Sequence, residues 1–113
     1  MIVVLEDNVM FSLPLMAAGK VRGVAMTVVA TAEEVLAAMK RDDIRAVLLD
    51  MRLATTELMS RLPTDIPVAA FGPHVEGQMF LEMRRQGIRE VWPNSKLQEK
   101  FPRWLDEVVR PPD

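Results

Sequence analysis

The sequence predicts an α/β domain, a doubly wound parallel sheet of five strands with helices on both faces. Three observations predict it. Short, β-rich apolar runs recur along the chain, helical patterns fall between them, and two of the runs stop abruptly at acidic residues. Runs that are apolar on both faces are what a buried parallel sheet requires. Strands alternating with helices then give five βα units joined by right-handed crossovers.

The first strand is Ile2-Val3-Val4-Leu5, which stops at Glu6-Asp7-Asn8. A helix over residues 9–18 follows, and Pro14 within it marks a kink or a boundary. The second run covers residues 24–29. Thr31-Ala32-Glu33-Glu34 reads as a capping box, with Thr31 at the N-cap and Glu34 at N3, and opens a helix through Met39. Val35, Leu36 and Met39 lie on one face of that helix. The third strand, residues 46–49, runs into Asp50. Only residues 55–62 remain for the third helix, so it is short.

The fourth strand covers residues 68–71. The helix over 76–85 carries Met79, Phe80 and Met83 on one face, and Gly87 is placed to end it. Most of the nine methionines read as core filler, with Met79 and Met83 best placed for an exposed, adaptable surface. The fifth run covers residues 88–92. A last helix over 96–109 carries Leu97, Phe101, Trp104, Leu105 and Val108, with Pro102 inside it. Pro111-Pro112-Asp113 reads as a stop, so the expectation is one domain over residues 1–113 with no output domain.

Composition narrows the function classes. A chain of 113 residues supports one core without metal or disulfide staples, and it has no cysteine, so no thiolate metal site is possible. The net charge of −2, from 14 basic and 16 acidic residues, lacks the basic excess of a nucleic-acid binder. No apolar run is long enough to span a bilayer and no cleavable leader is evident, so a cytoplasmic protein is expected. No glycine-rich phosphate loop, zinc-spaced histidines or nucleophile elbow is present.

The acids carry the chemistry. In an open α/β sheet, ligands bind outside the carboxyl ends of the strands, near the point where strand order reverses. If the first and third strands are neighbours, Glu6, Asp7 and Asp50 converge there. Like charges at short range raise at least one pKa unless a cation neutralises them. Oxygen-only ligands of this kind suit Mg²⁺, which takes one or two carboxylates plus phosphate oxygens. The bland alternative is that each acid simply ends its strand in water; an acid pair and a third acid at the ends of two buried strands favour the pocket.

These segments resemble the receiver domains of bacterial two-component response regulators, over nearly the whole chain. Ile2-Val3-Val4-Leu5-Glu6-Asp7-Asn8 is similar to the family's first strand with its acid pair. Ala46-Val47-Leu48-Leu49-Asp50-Met51-Arg52-Leu53 is similar to the third strand with its phospho-accepting aspartate. Pro67-Val68-Ala69-Ala70-Phe71 and Glu90-Val91-Trp92-Pro93 are similar to the fourth and fifth. The resemblance implies a flavodoxin-like fold, Mg²⁺ held by Glu6, Asp7, Asp50 and the backbone carbonyl of Arg52, and a phosphoryl acceptor at Asp50. It also implies a histidine kinase or another signalling protein as partner, with dimerisation or docking through the fourth helix, fifth strand and fifth helix.

The sequence departs from that pattern at the switch. Receivers place a Thr or Ser hydroxyl just after the fourth strand, where this chain has Gly72. The family's phosphate-pairing Lys falls near Asn94, with Lys96 two residues along as a possible substitute. Val91 replaces the aromatic residue whose rotation reports the switch. A phosphoryl group on Asp50 would therefore lose two charge-assisted partners. A modification shifts an equilibrium only if it contacts the two states differently. The expectation is a receiver-like signalling module, or pseudo-receiver, acting through protein contacts with an acidic pocket but without the usual relay. The alternative is a working receiver that takes phosphoryl at Asp50. A small Mg²⁺-dependent phosphatase-like enzyme is a remote third reading, because neither Asp7 nor Asp50 is followed by a second Asp two residues on. Catalysis beyond self-phosphorylation and dephosphorylation at Asp50 is not expected. His74, the only histidine, reads as a solvated loop residue beside the pocket.

Overall fold

The computed structural model describes residues 1–110; the terminal Pro111-Pro112-Asp113 lies outside the described residues. Five parallel strands form one sheet: β1 (Ile2–Leu5), β2 (Met26–Val29), β3 (Ala46–Asp50), β4 (Val68–Gly72) and β5 (Glu90–Pro93). Their order is β2-β1-β3-β4-β5, so the direction of winding reverses between β1 and β3. The intervening helices are α1 (Val9–Val21), α2 (Ala32–Ala38), α3 (Thr56–Ser60), α4 (Gly77–Arg85) and α5 (Leu97–Val109), with one 3₁₀ turn (Asn94–Lys96) before α5. The sheet and its doubly wound order are those the sequence predicts.

Strand alternation assigns the two faces. Ile2 and Val4 of β1, Ala46 and Leu48 of β3, and Ala69 and Phe71 of β4 face α1 and α5, where they pack with Leu15, Leu97, Phe101, Trp104 and Leu105. Val3 and Leu5, Val47 and Leu49, and Ala70 face α2, α3 and α4, where they pack with Val35, Leu58 and Met83. Every residue of β1 and β3 is fully buried, which explains why those two strands read as unbroken apolar runs.

Local chemistry fixes the helix ends. Thr31 caps α2 by accepting a hydrogen bond from the Glu34 N–H at 3.2 Å, and its hydroxyl donates to the Glu34 carboxylate at 3.0 Å. Gly87 ends α4 at φ +92°, a conformation costly for a residue with a Cβ. There the Gly87 N–H bonds the Arg84 carbonyl at 3.0 Å and the Ile88 N–H bonds the Met83 carbonyl at 3.1 Å. That pair of bonds is a Schellman cap. Pro14 and Pro102 both lie inside helices, and neither ends one.

Three expectations shift. The second strand starts at Met26 rather than residue 24, and the fifth at Glu90 rather than residue 88. Met83 is not an exposed residue: it is buried on the inner face of α4, and Met79 on the same helix is half-buried. Met79 and Met83 of α4 line a cleft with Met51 and with Thr55, Thr56 and Met59 of the α3 region.

Candidate functional site at the carboxyl edge of the sheet

Glu6 and Asp7 follow the last residue of β1, and Asp50 is the last residue of β3. Because β1 and β3 are paired in register, Leu5 opposite Leu49, both strands deliver their acids to the same edge. Glu6, Asp7 and Asp50 each offer a carboxylate oxygen, and these atoms lie within 4.8 Å of one another. The strand ends therefore do bring the three sequence-predicted acids together.

Their surroundings differ. Glu6 and Asp50 are buried and Asp7 is exposed. One Glu6 oxygen, Oε1, accepts a hydrogen bond from the Asn8 N–H at 3.1 Å, and Asn8 in turn caps α1 by accepting from the Met10 N–H at 2.9 Å. The other, Oε2, is buried with no hydrogen-bond partner among the described residues. Burial pushes the Glu6 carboxyl up from its ordinary 4.5 to about 8, with the neighbouring Asp50 carboxylate acting in the same direction. The Asn8 N–H and the Arg52 charge oppose this more weakly.

A fourth residue enters the group. The Arg52 guanidinium reaches back over Asp50, with Nη2 at 2.5 Å from Asp50 Oδ2 and Nε at 3.2 Å from each Asp50 oxygen. The Arg52 backbone N–H also donates to Asp50 Oδ1 at 3.0 Å. Asp50, and more weakly Glu6 and Asp7, hold the guanidinium in its charged form. Sequence reasoning assigned Arg52 only a backbone carbonyl. The missed signal is a cationic side chain two residues after a strand-end acid, where the chain turns back over the edge.

The switch positions lie close by. Gly72 closes β4 and is buried, with no side-chain donor. A Cβ there would sit 2.7 Å from Sδ of Met51, so the Met51 thioether fills the space above Gly72. Asn94 opens the 3₁₀ turn, beside Phe11, Leu15 and Leu97. Lys96 is half-exposed and its ammonium lies 3.6 Å from Glu99. Val91 faces the α4 side of the sheet and Trp92 the α5 side, where it stacks edge-on against Trp104 at 6.0 Å. By strand alternation Trp92 cannot stand in for the missing aromatic at position 91. His74 is exposed in the loop between β4 and α4.

The fold is that of solved response-regulator receiver structures. NtrX from Brucella abortus superposes at a TM-score of 0.81 with 18% identity, over 96% of this chain and 25% of that one. A response regulator from Thermotoga maritima gives 0.77 with 15% identity, over 96% of this chain and 95% of that one. A CheY-like receiver domain protein from Methanospirillum hungatei gives 0.75 with 20% identity, over 95% and 94%. The chain thus spans a quarter of that NtrX chain and nearly all of the other two. No protein-family model matches the chain. No curated protein matches it either.

Proposed function

We propose that this chain is a receiver-type signalling module that retains the acidic pocket and has lost the family's switch, acting through contacts with a signalling partner. The observation that carries the reading is the convergence of Glu6, Asp7 and Asp50 at the β1/β3 edge, where winding reverses and ligands of open α/β sheets bind. The donor set fits a hard divalent cation: three carboxylates and, by the resemblance, the Arg52 carbonyl, with Glu6 Oε2 buried and unpartnered among the described residues. Mg²⁺ bound there would supply charge neutralisation for a phosphoryl group.

This chain's own residues do the rest. Asp50 is the acid that ends β3, and its carboxylate is the candidate nucleophile toward phosphoryl. Glu6 and Asp7 lie beside it as the remaining carboxylate ligands. Against a full relay stand Gly72, which offers no hydroxyl, and Lys96, whose ammonium lies by Glu99. Partner binding that does not depend on phosphorylation is therefore favoured. By the resemblance a signalling partner or a second copy docks on α4, β5 and α5.

Beryllofluoride with Mg²⁺, followed by amide NMR, tests both parts. A pocket without a switch gives shifts at residues 6, 7 and 50–52 that vanish in Asp50→Asn and do not reach α4 or β5. Shifts spreading through α4, β5 and α5 would establish a working switch instead. No adduct, or one indifferent to Asp50→Asn, would refute the receiver chemistry.

A further inference from the structure

Arg52 faces all three acids through one atom. Its Nη2 lies 2.5 Å from Asp50 Oδ2, 3.5 Å from Asp7 Oδ1 and 3.6 Å from Glu6 Oε1. A single positive nitrogen thus stands where the carboxylate oxygens converge, which is also the position a divalent cation needs. Asp50 has no oxygen left over, because the Arg52 backbone N–H and Nε hold Oδ1 while Nη2 and Nε hold Oδ2. Several of the other ion pairs among the described residues lie in water. Arg41–Asp43, Arg61–Glu57 and Arg85–Glu82 join groups that are about half-exposed or more, where water competes and little is gained.

At the acidic edge the partners are unequal. The Glu6 and Asp50 side chains are 0% and 1% exposed, whereas the Arg52 side chain is 44% exposed. The acids cannot leave the site, and burying the Asp50 carboxylate without a counter-charge is costly. The guanidinium can withdraw into water along its open side. A built-in cation of this kind keeps the pocket neutralised when no metal is bound, and a metal must compete with it for the same oxygens.

We propose that Arg52 is an internal counter-ion occupying the cation position of the acidic pocket, and that a divalent metal binds there only by displacing the guanidinium. The proposal rests on the reading of the pocket as a cation site. It makes the side chain at position 52 the determinant of metal affinity, separately from any carbonyl the same residue offers. It also gives Asp50 two mutually exclusive states: covered by Arg52, or open beside a metal.

The test compares the wild type with Arg52→Ala and Arg52→Gln, the second keeping most of the stem while dropping the charge. Each protein is titrated with MgCl₂ alone by amide NMR and melted in EDTA and in excess Mg²⁺. Both variants are expected to bind Mg²⁺ about tenfold more tightly, since one charge-assisted contact no longer has to be broken. Both should melt several degrees lower than wild type in EDTA and recover in Mg²⁺. Equal Mg²⁺ affinities in all three proteins would overturn the competition while leaving the pocket's cation reading intact. Lower melting in EDTA with no Mg²⁺ binding by any of the three would overturn the competition together with that reading.

Discussion

Gly72 and Met51 form a packing pair whose disruption has a calculable cost. Replacing Gly72 by Thr restores the residue type that receivers carry at this position. A Cβ at position 72 would lie 2.7 Å from Met51 Sδ, against about 3.5–4.0 Å for an ordinary heavy-atom contact. Met51 is 1% exposed and packs with Leu49, Leu58, Ala70 and Met83, so its thioether cannot swing into solvent without leaving the core. Overpacking of this kind costs about 1–3 kcal/mol. Truncating Met51 to Ala alone should cost about 2–5 kcal/mol through the cavity it leaves. In the double variant the threonine enters the vacated space, so the two costs should fall short of additivity by about 1–2 kcal/mol. Urea denaturation of the four proteins at pH 7 measures each corner of the cycle. If Gly72→Thr lies within about 0.5 kcal/mol of wild type, or the costs simply add, Met51 does not block the switch position.

Glu6 makes stability fall as pH rises. Its folded carboxyl titrates at about 8 rather than 4.5, so between those values the folded state holds a proton that the unfolded chain has released. That contribution is complete below about pH 4.5 and is lost as pH rises through about 8, on the order of a few kcal/mol. In EDTA, Glu6→Gln should gain on wild type steadily from pH 5 to pH 9, and parallel denaturation curves would refute the assignment. Phe101, fully buried in the cluster that holds Ile2, Val4, Leu48 and Phe71, joins α5 to the sheet. Phe101→Ala should cost about 3–5 kcal/mol in a urea titration followed by tryptophan fluorescence. A loss below about 1 kcal/mol would mean that α5 is not anchored there.

Much of this protein was legible in one dimension because the relevant signals are local. Unbroken apolar runs of four or five residues appear where a strand is buried on both faces, as β1 and β3 are. Thr31 and Gly87 announce helix ends because capping uses neighbours in sequence. Acids at the ends of two such strands announce a site because parallel pairing carries strand ends to a common edge. The edge strands were less legible: β2 is only half-buried, and its start was misplaced by two residues.

Other properties depended on which atoms meet across the sheet edge. Whether Met83 is exposed turns on its packing with Leu58, Ala70, Ile88 and Val91, which come from other elements of the fold. Gly72 reads in the sequence as a missing hydroxyl, and only packing shows that Met51 fills its place. Arg52 reads as a residue in a loop after Asp50. Its side-chain direction is set by the turn Asp50–Leu53, closed by the Leu53 N–H on the Asp50 carbonyl at 3.0 Å, and by the pull of three acids from two strands. The sequence by itself determined that Glu6, Asp7 and Asp50 would stand at the carboxyl ends of two buried strands, because strand periodicity is a short-range rule; the pairing of β1 with β3, between residues far apart in the chain, brought those ends together. Only the tertiary structure decided that Arg52 neutralises them, because a long, flexible cation takes its direction from the field of charges brought together by folding.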